Sequence, residues 1–332
     1  MTGATMRAVR YTGEDVRIEA VPRPDLAAGE VLLHPTYTGI CGTDVHVAHG
    51  LHPRVRPPVT LGHEFVGTVV SSGTDAWQPG QHVVVEPLRT CRQCRACTGP
   101  HYNRCPQLQI LGVDTDGSLA EVVAIPADRL IALPDGVSPR LGALVEPIAV
   151  ASHAVGALGA LPEAASVLVF GGGPIGWLAA TILTVSGHHP HIVENNAFRQ
   201  EMLRAAGHDV IPDAAAVGSG YDAGLEATGT VVGLRTLVTA VDGGGTISQV
   251  GLPKATNELD GMAVISKELT LRGSRVYTRT DIEEAAALLA AHGDRFEPLI
   301  THEIAFEDVL EHGLRRVEAG AAVGKIVVRG TS

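Results

Sequence analysis

Aromatic residues are scarce in this chain: two tryptophans, five tyrosines and five phenylalanines among 332 residues. Aliphatic residues and glycine are abundant instead, a balance that suits a packed α/β protein. No apolar stretch is long enough to span a bilayer, which excludes helical membrane proteins. The segment Met1–Glu14 has no apolar core between a basic start and a cleavage site. That argues against a secretory leader, and a cytoplasmic location is expected. Positive charge is also in deficit, with a formal net charge of −11. An acidic surface repels phosphate backbones and anionic lipid, so neither nucleic acid nor a membrane is an expected partner. Five cysteines, an odd and small number, do not make a disulfide framework. Four lie close together (Cys91, Cys94, Cys97, Cys105) and Cys41 stands alone, which suits a reducing compartment, a metal site and one separate thiol.

The length suits two domains of ordinary size. The first third reads as short strands, at Met6–Val9, Val31–Thr38, Glu64–Ser71 and His82–Glu86, broken by turns at Pro22–Pro24 and Gln78–Gly80. The character changes near Glu146. Strands at Ser166–Phe170, His191–Glu194, Ala223–Thr228, Thr246–Gly251 and Leu269–Val276 then alternate with helices at Ile175–Ser186 and Ala197–Ala206. Such alternation predicts a parallel sheet with crossover helices. A helix over Asp281–Ala291 and a strand near Gly324–Val328 close the chain.

The strand that ends at Phe170 runs into Gly171-Gly-Gly173-Pro174-Ile175-Gly176 and then a helix. Glycine triplets alone are weak evidence, but strand, glycines and helix in register form a dinucleotide-binding pattern. Gly171 would allow the tight turn. Gly173 would let the backbone approach a pyrophosphate, and Gly176 would permit close helix–strand packing. Glu194, at the end of the next strand, is placed to bind adenosine ribose hydroxyls. A carboxylate there repels a 2′-phosphate and favours NAD over NADP. Arg199 nearby is a competing signal, since arginine binds phosphate.

Cys91-x-x-Cys94-x-x-Cys97 followed by Cys105 can wrap four thiolates around one tetrahedral zinc. The residues between them are polar or small, so ligation rather than burial would hold the segment together. Four protein ligands leave no open position, which makes such a site structural. An iron–sulfur cluster is the alternative for four cysteines. Cys41 and His63 carry no ligand spacing of their own. Locally, the cysteine reads more readily as a small buried hydrophobe and the histidine as a core or surface residue than either does as a ligand.

Several motifs in one order settle what single residues do not. Gly39-Ile-Cys41-Gly-Thr43-Asp44, Gly62-His63-Glu64, the four-cysteine lobe, Val145-Glu146-Pro147, the glycine motif and Gly324-Lys325-Ile-Val together resemble the zinc-containing medium-chain alcohol dehydrogenase family over nearly the whole chain. His63-Glu64 and Glu146-Pro147 are most similar to its sorbitol, threonine and sugar-acid dehydrogenase branch. The resemblance implies an α/β fold: a GroES-like β-rich catalytic domain plus a Rossmann doubly wound parallel-sheet cofactor domain. Residues 1–147 would form the first, with a zinc lobe at about 88–108; residues 148–277 would form the second, and residues 278–332 would return to the first.

It also implies two zinc ions per chain and an NAD cofactor. Cys41 and His63 would hold the catalytic zinc, completed by Glu64 or Glu146, with Asp44 orienting the ligands. Thr43 would accept the substrate proton, and His46 would pass it to solvent. Arg199 would bind the adenosine ribose beside Glu194. Glutamate in place of a thiolate makes an oxygen-rich site suited to hydrophilic substrates that chelate through two heteroatoms. The expected reaction is oxidation of a secondary alcohol of a polyol, cyclitol, sugar-like or amino-alcohol substrate. The alternative is reduction of a carbonyl or activated alkene on the same scaffold. The Thr43–His46 pair argues against the alkene, whose reduction has no alcohol proton to relay. His49, His52, Arg54, Arg275, Tyr277 and Arg279 are candidates for reading a polar substrate, and Leu111 and Val113 for apolar lining. A homodimer or homotetramer is expected from the family habit of pairing cofactor-domain sheets.

Overall fold

The computed structural model describes residues 4–253, 256, 258–320 and 324–331. Met1–Gly3, part of the segment read for a leader, lie outside them. No helix among the described residues is long and apolar enough to cross a membrane. The chain divides into two compact units: Met1–Glu146 with Ile282–Gly293 and Ile300–Ser332, and Pro147–Asp281 with Asp294–Leu299. The C-terminal return, expected as one segment from residue 278, is therefore interrupted, because Asp294–Leu299 groups with the second unit.

The first unit is β-rich, as expected. Its largest sheet runs Leu130–Ala132, His82–Val85, Glu64–Ser72, Glu30–Gly39, Lys325–Arg329, Ile300–Ala305, and Val123–Pro126 also pairs with Glu30–Gly39. A second sheet sets Thr5–Tyr11 between Val16–Pro22 and Val59–Thr60. Two aliphatic cores result, one around Val9, Leu61, Ile326 and Val328 and one around Val31, Leu33, Phe65 and Val83. Leu111 and Val113, expected as pocket lining, are buried in these cores. Their apolarity serves packing.

The register of this sheet builds the site. Gly39 pairs directly with Glu64 across an antiparallel ladder. Cys41 lies two residues beyond Gly39 and His63 one before Glu64, so the pairing delivers both to one place. A Cβ on Gly39 would fall only 2.4 Å from Glu64 Oε2. Lys325 enters from the neighbouring strand, in which Val327 pairs with Gly39.

The second unit is a six-stranded sheet ordered Asp209–Ile211, His189–Val193, Ser166–Phe170, Tyr221–Glu226, Val241–Gln249, Thr270–Gly273. All five pairings are parallel. In chain order that is 3-2-1-4-5-6, the doubly wound arrangement, with its switch between Ser166–Phe170 and Tyr221–Glu226. Several elements escape the sequence reading, among them the helices Val145–Gly156 and Gly261–Ser266. Asp209–Ile211 is only three residues long. Val231–Ala240 is rich in β-branched residues, yet it is a helix, started by the Thr230 side chain accepting from Gly233 N–H. The strand expected over Leu269–Val276 is shorter, Thr270–Gly273; the helix expected over Asp281–Ala291 starts earlier, at Arg279, and breaks at His292, whose φ of −138° is not helical, before a second helical stretch to Phe296.

Candidate active site and cofactor crevice

Cys41 is the N-cap of the short helix Gly42–Ala48. Asp44, three residues on, reaches back to accept the Cys41 N–H at 2.9 Å with Oδ2. Its other oxygen, Oδ1, accepts the Gly62 N–H at 3.0 Å. One fully buried carboxylate therefore pins the two segments that carry Cys41 and His63. Burial pushes the Asp44 pKa up, and His63 and the two N–H groups only partly offset this.

Donor atoms of Cys41, His63 and Glu64 all lie within 4.8 Å of one another. His63 Nδ1 is buried without a hydrogen bond, its Asp44 neighbour being 3.7 Å away. Burial would depress the His63 pKa, but Asp44, the Cys41 thiol and Glu146 outweigh it and hold the ring well above the usual histidine range. A soft thiol, an imidazole and a carboxylate converging in an anionic setting fit a divalent zinc. Glu146 is buried in the first turn of the helix Val145–Gly156, close enough to act on both His63 and Lys325.

Sequence reasoning does not assign Lys325 a role. It is one of three lysines in the chain and is almost wholly buried. Its Nζ donates to both Glu64 oxygens at 2.7 Å. A lone lysine opening an apolar strand is the signal that could have found it.

Thr43 Oγ1 lies 3.6 Å from Cys41 Sγ. His46, three residues on and exposed, shares its helix face. The expected substrate readers fare differently. His49 pairs with Glu318 at 2.8 Å. Arg54 donates to Leu108 O and pairs with Asp114 at 3.2 Å. Tyr277 is wholly buried. His49 and Arg54 are thus engaged with other groups of the chain, and Tyr277 is out of reach of solvent. His52 remains half-buried, with its pKa lowered by burial, by Arg54 and by the neighbouring His46 and His63.

The four-cysteine lobe is bracketed by the paired strands Leu88–Arg89 and Gln109–Ile110. Its sulfurs are separated by 3.8 Å (Cys91–Cys97), 3.5 Å (Cys94–Cys97) and 3.6 Å (Cys105–Cys91). A zinc tetrahedron with bonds of about 2.3 Å has edges of about 3.8 Å, so the lobe fits one ion. Backbone N–H groups of Gln93 and Cys94 lower the Cys91 thiol to about 6, favouring the thiolate that ligation needs. Tyr102 and Arg92 tie the lobe down, to Glu86 at 2.6 Å and Asp128 at 2.7 Å.

In the second unit Gly171 has φ +107°, a conformation glycine adopts freely. A Cβ on Gly176 would meet Gly171 O at 1.8 Å, so the helix Pro174–Val185 can approach only with glycine there. Gly173 caps that helix, with Pro174 and Ile175 in its first turn and open space where a Cβ would be. Glu194 is buried; it accepts the Gly172 N–H at 3.1 Å and the Asn196 N–H at 2.8 Å. Arg199 Nη1 donates to it at 2.9 Å. The two residues expected side by side at the adenosine ribose thus form one pair.

Residues 27–135 match the alcohol dehydrogenase GroES-like domain and residues 174–291 the zinc-binding dehydrogenase domain. L-threonine 3-dehydrogenase of Serratia proteamaculans is 32% identical over 95% of this chain and 96% of its own. The chain belongs to the zinc-containing medium-chain alcohol dehydrogenase family. Among solved structures, 2R,3R-butanediol dehydrogenase of Bacillus subtilis superposes with a TM-score of 0.91 at 29% identity, covering 98% of this chain and 100% of that one. Galactitol-1-phosphate dehydrogenase of Escherichia coli gives 0.88 at 26% identity, covering 98% and 100%. The family assigns this chain to the oxidoreductases, with a GroES-like domain and a Rossmann-like domain.

Proposed function

We propose that this member of the family oxidises the secondary alcohol of a small hydrophilic substrate to a ketone, using NAD+. The observation that carries the reading is the convergence of Cys41, His63 and Glu64 within 4.8 Å, beside Thr43. Zinc held there would act as a Lewis acid on the substrate oxygen, easing loss of its proton. Glu64 is the third donor in this conformation, and Glu146 is the carboxylate that can replace it. Asp44 keeps the Cys41 and His63 segments in place while substrate enters and leaves. The Thr43 hydroxyl takes the alcohol proton, and exposed His46 on the same helix face releases it to water. The nicotinamide would accept the hydride from the alcohol carbon. A second zinc, in the shell closed by Cys91, Cys94, Cys97 and Cys105, would do no chemistry.

The Glu194–Arg199 pair supports NAD over NADP. A 2′-phosphate at the adenosine ribose would meet the Glu194 carboxylate, and Arg199 is already committed to that carboxylate. For the substrate, the relatives are named for threonine, butanediol and galactitol 1-phosphate. Each has an oxygen or nitrogen beside the reacting hydroxyl, which suits a donor set with carboxylate in place of a second thiolate. The test is a panel of vicinal diols, cyclitols, sugar alcohols and β-hydroxy amino acids, with NAD+ and NADP+ in parallel, read by reduced-nicotinamide absorbance. Turnover of secondary alcohols with such a neighbouring group, faster with NAD+, is expected. Turnover of primary aliphatic alcohols alone would sink the reading.

Assembly as a homodimer or homotetramer belongs to the same proposal. Thr270–Gly273, the outer strand of the cofactor sheet, is exposed at every position, as are Met262 and Ile265 of the preceding helix. An uncovered edge beside apolar side chains is matched by a second copy of itself.

A further inference from the structure

Glu226 ends the strand Tyr221–Glu226 and is completely buried. Nothing about its position in the sequence demands an acid there. Its carboxylate is filled by donors of the turn that follows. Oε1 accepts the Thr228 N–H at 2.9 Å and the Thr228 hydroxyl, and both oxygens accept the Gly229 N–H, at 3.1 and 2.9 Å. Its own carbonyl accepts the N–H groups of Val250 and Gly251 at 2.9 and 3.0 Å. A Cβ on Gly233 would fall 2.6 Å from Oε1, and one on Gly251 2.6 Å from Oε2. Room for this carboxylate has been left on both sides.

The turn it holds faces the glycine loop. A Cβ on Gly171 would lie 2.5 Å from Thr228 Cγ2, so Thr228 is packed against the first glycine of that loop. The Thr228 hydroxyl also bonds Thr230 Oγ1 at 2.7 Å, at the cap of the helix Val231–Ala240. Glu226 thus sits where the strand order switches, on the first strand of the second mononucleotide half. Glu194 lies in the other half, after His189–Val193.

We propose that Glu226 is a positioning residue for the nicotinamide half of the cofactor. Its carboxylate fixes the turn 227–230 against Gly171 and sets the width of the crevice on that side. It does for the cofactor crevice what Asp44 does for the Cys41–His63 site: a buried carboxylate, filled by backbone N–H groups, replaces a flexible loop with a defined one. The inference rests on the cofactor reading above.

Glu226→Gln keeps the shape but puts an amide donor against backbone donors. Calorimetry with NAD+ and with AMP separates the two halves. The Kd for NAD+ is expected to rise about tenfold, the size of one unsatisfied buried donor, with that for AMP within about twofold. Thr228→Val removes the hydroxyl donor to Glu226 while leaving the carboxylate itself in place. It is expected to weaken NAD+ in the same direction by about threefold, guarding against a Gln variant that does not fold. Equal weakening of NAD+ and AMP, or unchanged NAD+ affinity, would overturn the inference while leaving the cofactor reading intact. Wild-type protein that binds neither NAD+ nor NADP+ would overturn both.

Discussion

Lys325 grips Glu64 with one ammonium nitrogen 2.7 Å from each carboxylate oxygen, and the side chains are only 4% and 2% exposed. Burial alone would depress the Lys325 pKa, but Glu64, Cys41 and Glu146 outweigh it and raise it. Lys325 therefore keeps its charge, and it stands beside two donor atoms besides Glu64 that suit a metal.

Breaking that pair should be costly. Lys325→Met leaves Glu64 buried and unpaired, which destabilises by about 3–5 kcal/mol. Denaturant unfolding of the zinc-free protein, in which no metal shares the Glu64 charge, measures it. A loss below about 1 kcal/mol would mean that another group takes over the charge.

Asp44→Asn should loosen the metal without unfolding the unit. One of its two acceptors becomes a donor facing the N–H of Cys41 or Gly62. Zinc affinity at the Cys41 site is expected to fall about 10–100-fold. Zinc content after a chelator challenge reads this directly, and wild-type retention would refute it.

Cys97→Ser tests the second metal. Elemental analysis should find two zinc ions per wild-type chain and one in the variant, with NAD+ affinity kept and thermal stability lowered. One zinc in the wild type would refute the two-metal assignment.

His208 gives a pH dependence. It is buried, with its Nε2 3.3 Å from Thr181 Oγ1 and its ring edge-on to Trp177 at 5.9 Å. Burial, aided by Arg295, lowers its pKa from 6.5 to about 4. Above pH 6.5 the ring is neutral folded and unfolded. Between 6.5 and 4 only the unfolded chain takes up the proton, so stability falls as pH falls through this window. The loss approaches roughly 3 kcal/mol at its lower end. His208→Phe should flatten the profile of unfolding free energy by about one proton. An unchanged slope would show that His208 is not its source.

Leu271→Glu, a charge placed on the outer strand of the cofactor sheet, tests assembly. Sedimentation should show a wild-type oligomer and a monomeric variant. A wild-type monomer would end the dimer proposal.

Much of this molecule was legible in its residues. The strand, glycine triplet and helix around Gly171 and Gly176 were readable because a tight turn against a phosphate site needs glycine at those steps. The four cysteines were readable because ligands of a structural zinc lie close along the chain. Val231–Ala240 was not, since its β-branched residues mimic a strand and only the Thr230 cap and the packing with Phe170 and Tyr221 favour a helix.

Cys41 and His63 mark the boundary. As residues they carried no ligand spacing, and only resemblance singled them out. The chain by itself determined the two-part architecture, the cofactor loop and the closed metal lobe, each written in short-range spacing. Tertiary structure alone decided that Gly39 pairs with Glu64, that Lys325 closes on Glu64, that Asp44 joins two loops and that Glu226 fills with N–H groups. Those contacts join residues brought together by strand register or by the return of a turn onto a buried carboxylate, and no spacing along the chain encodes them.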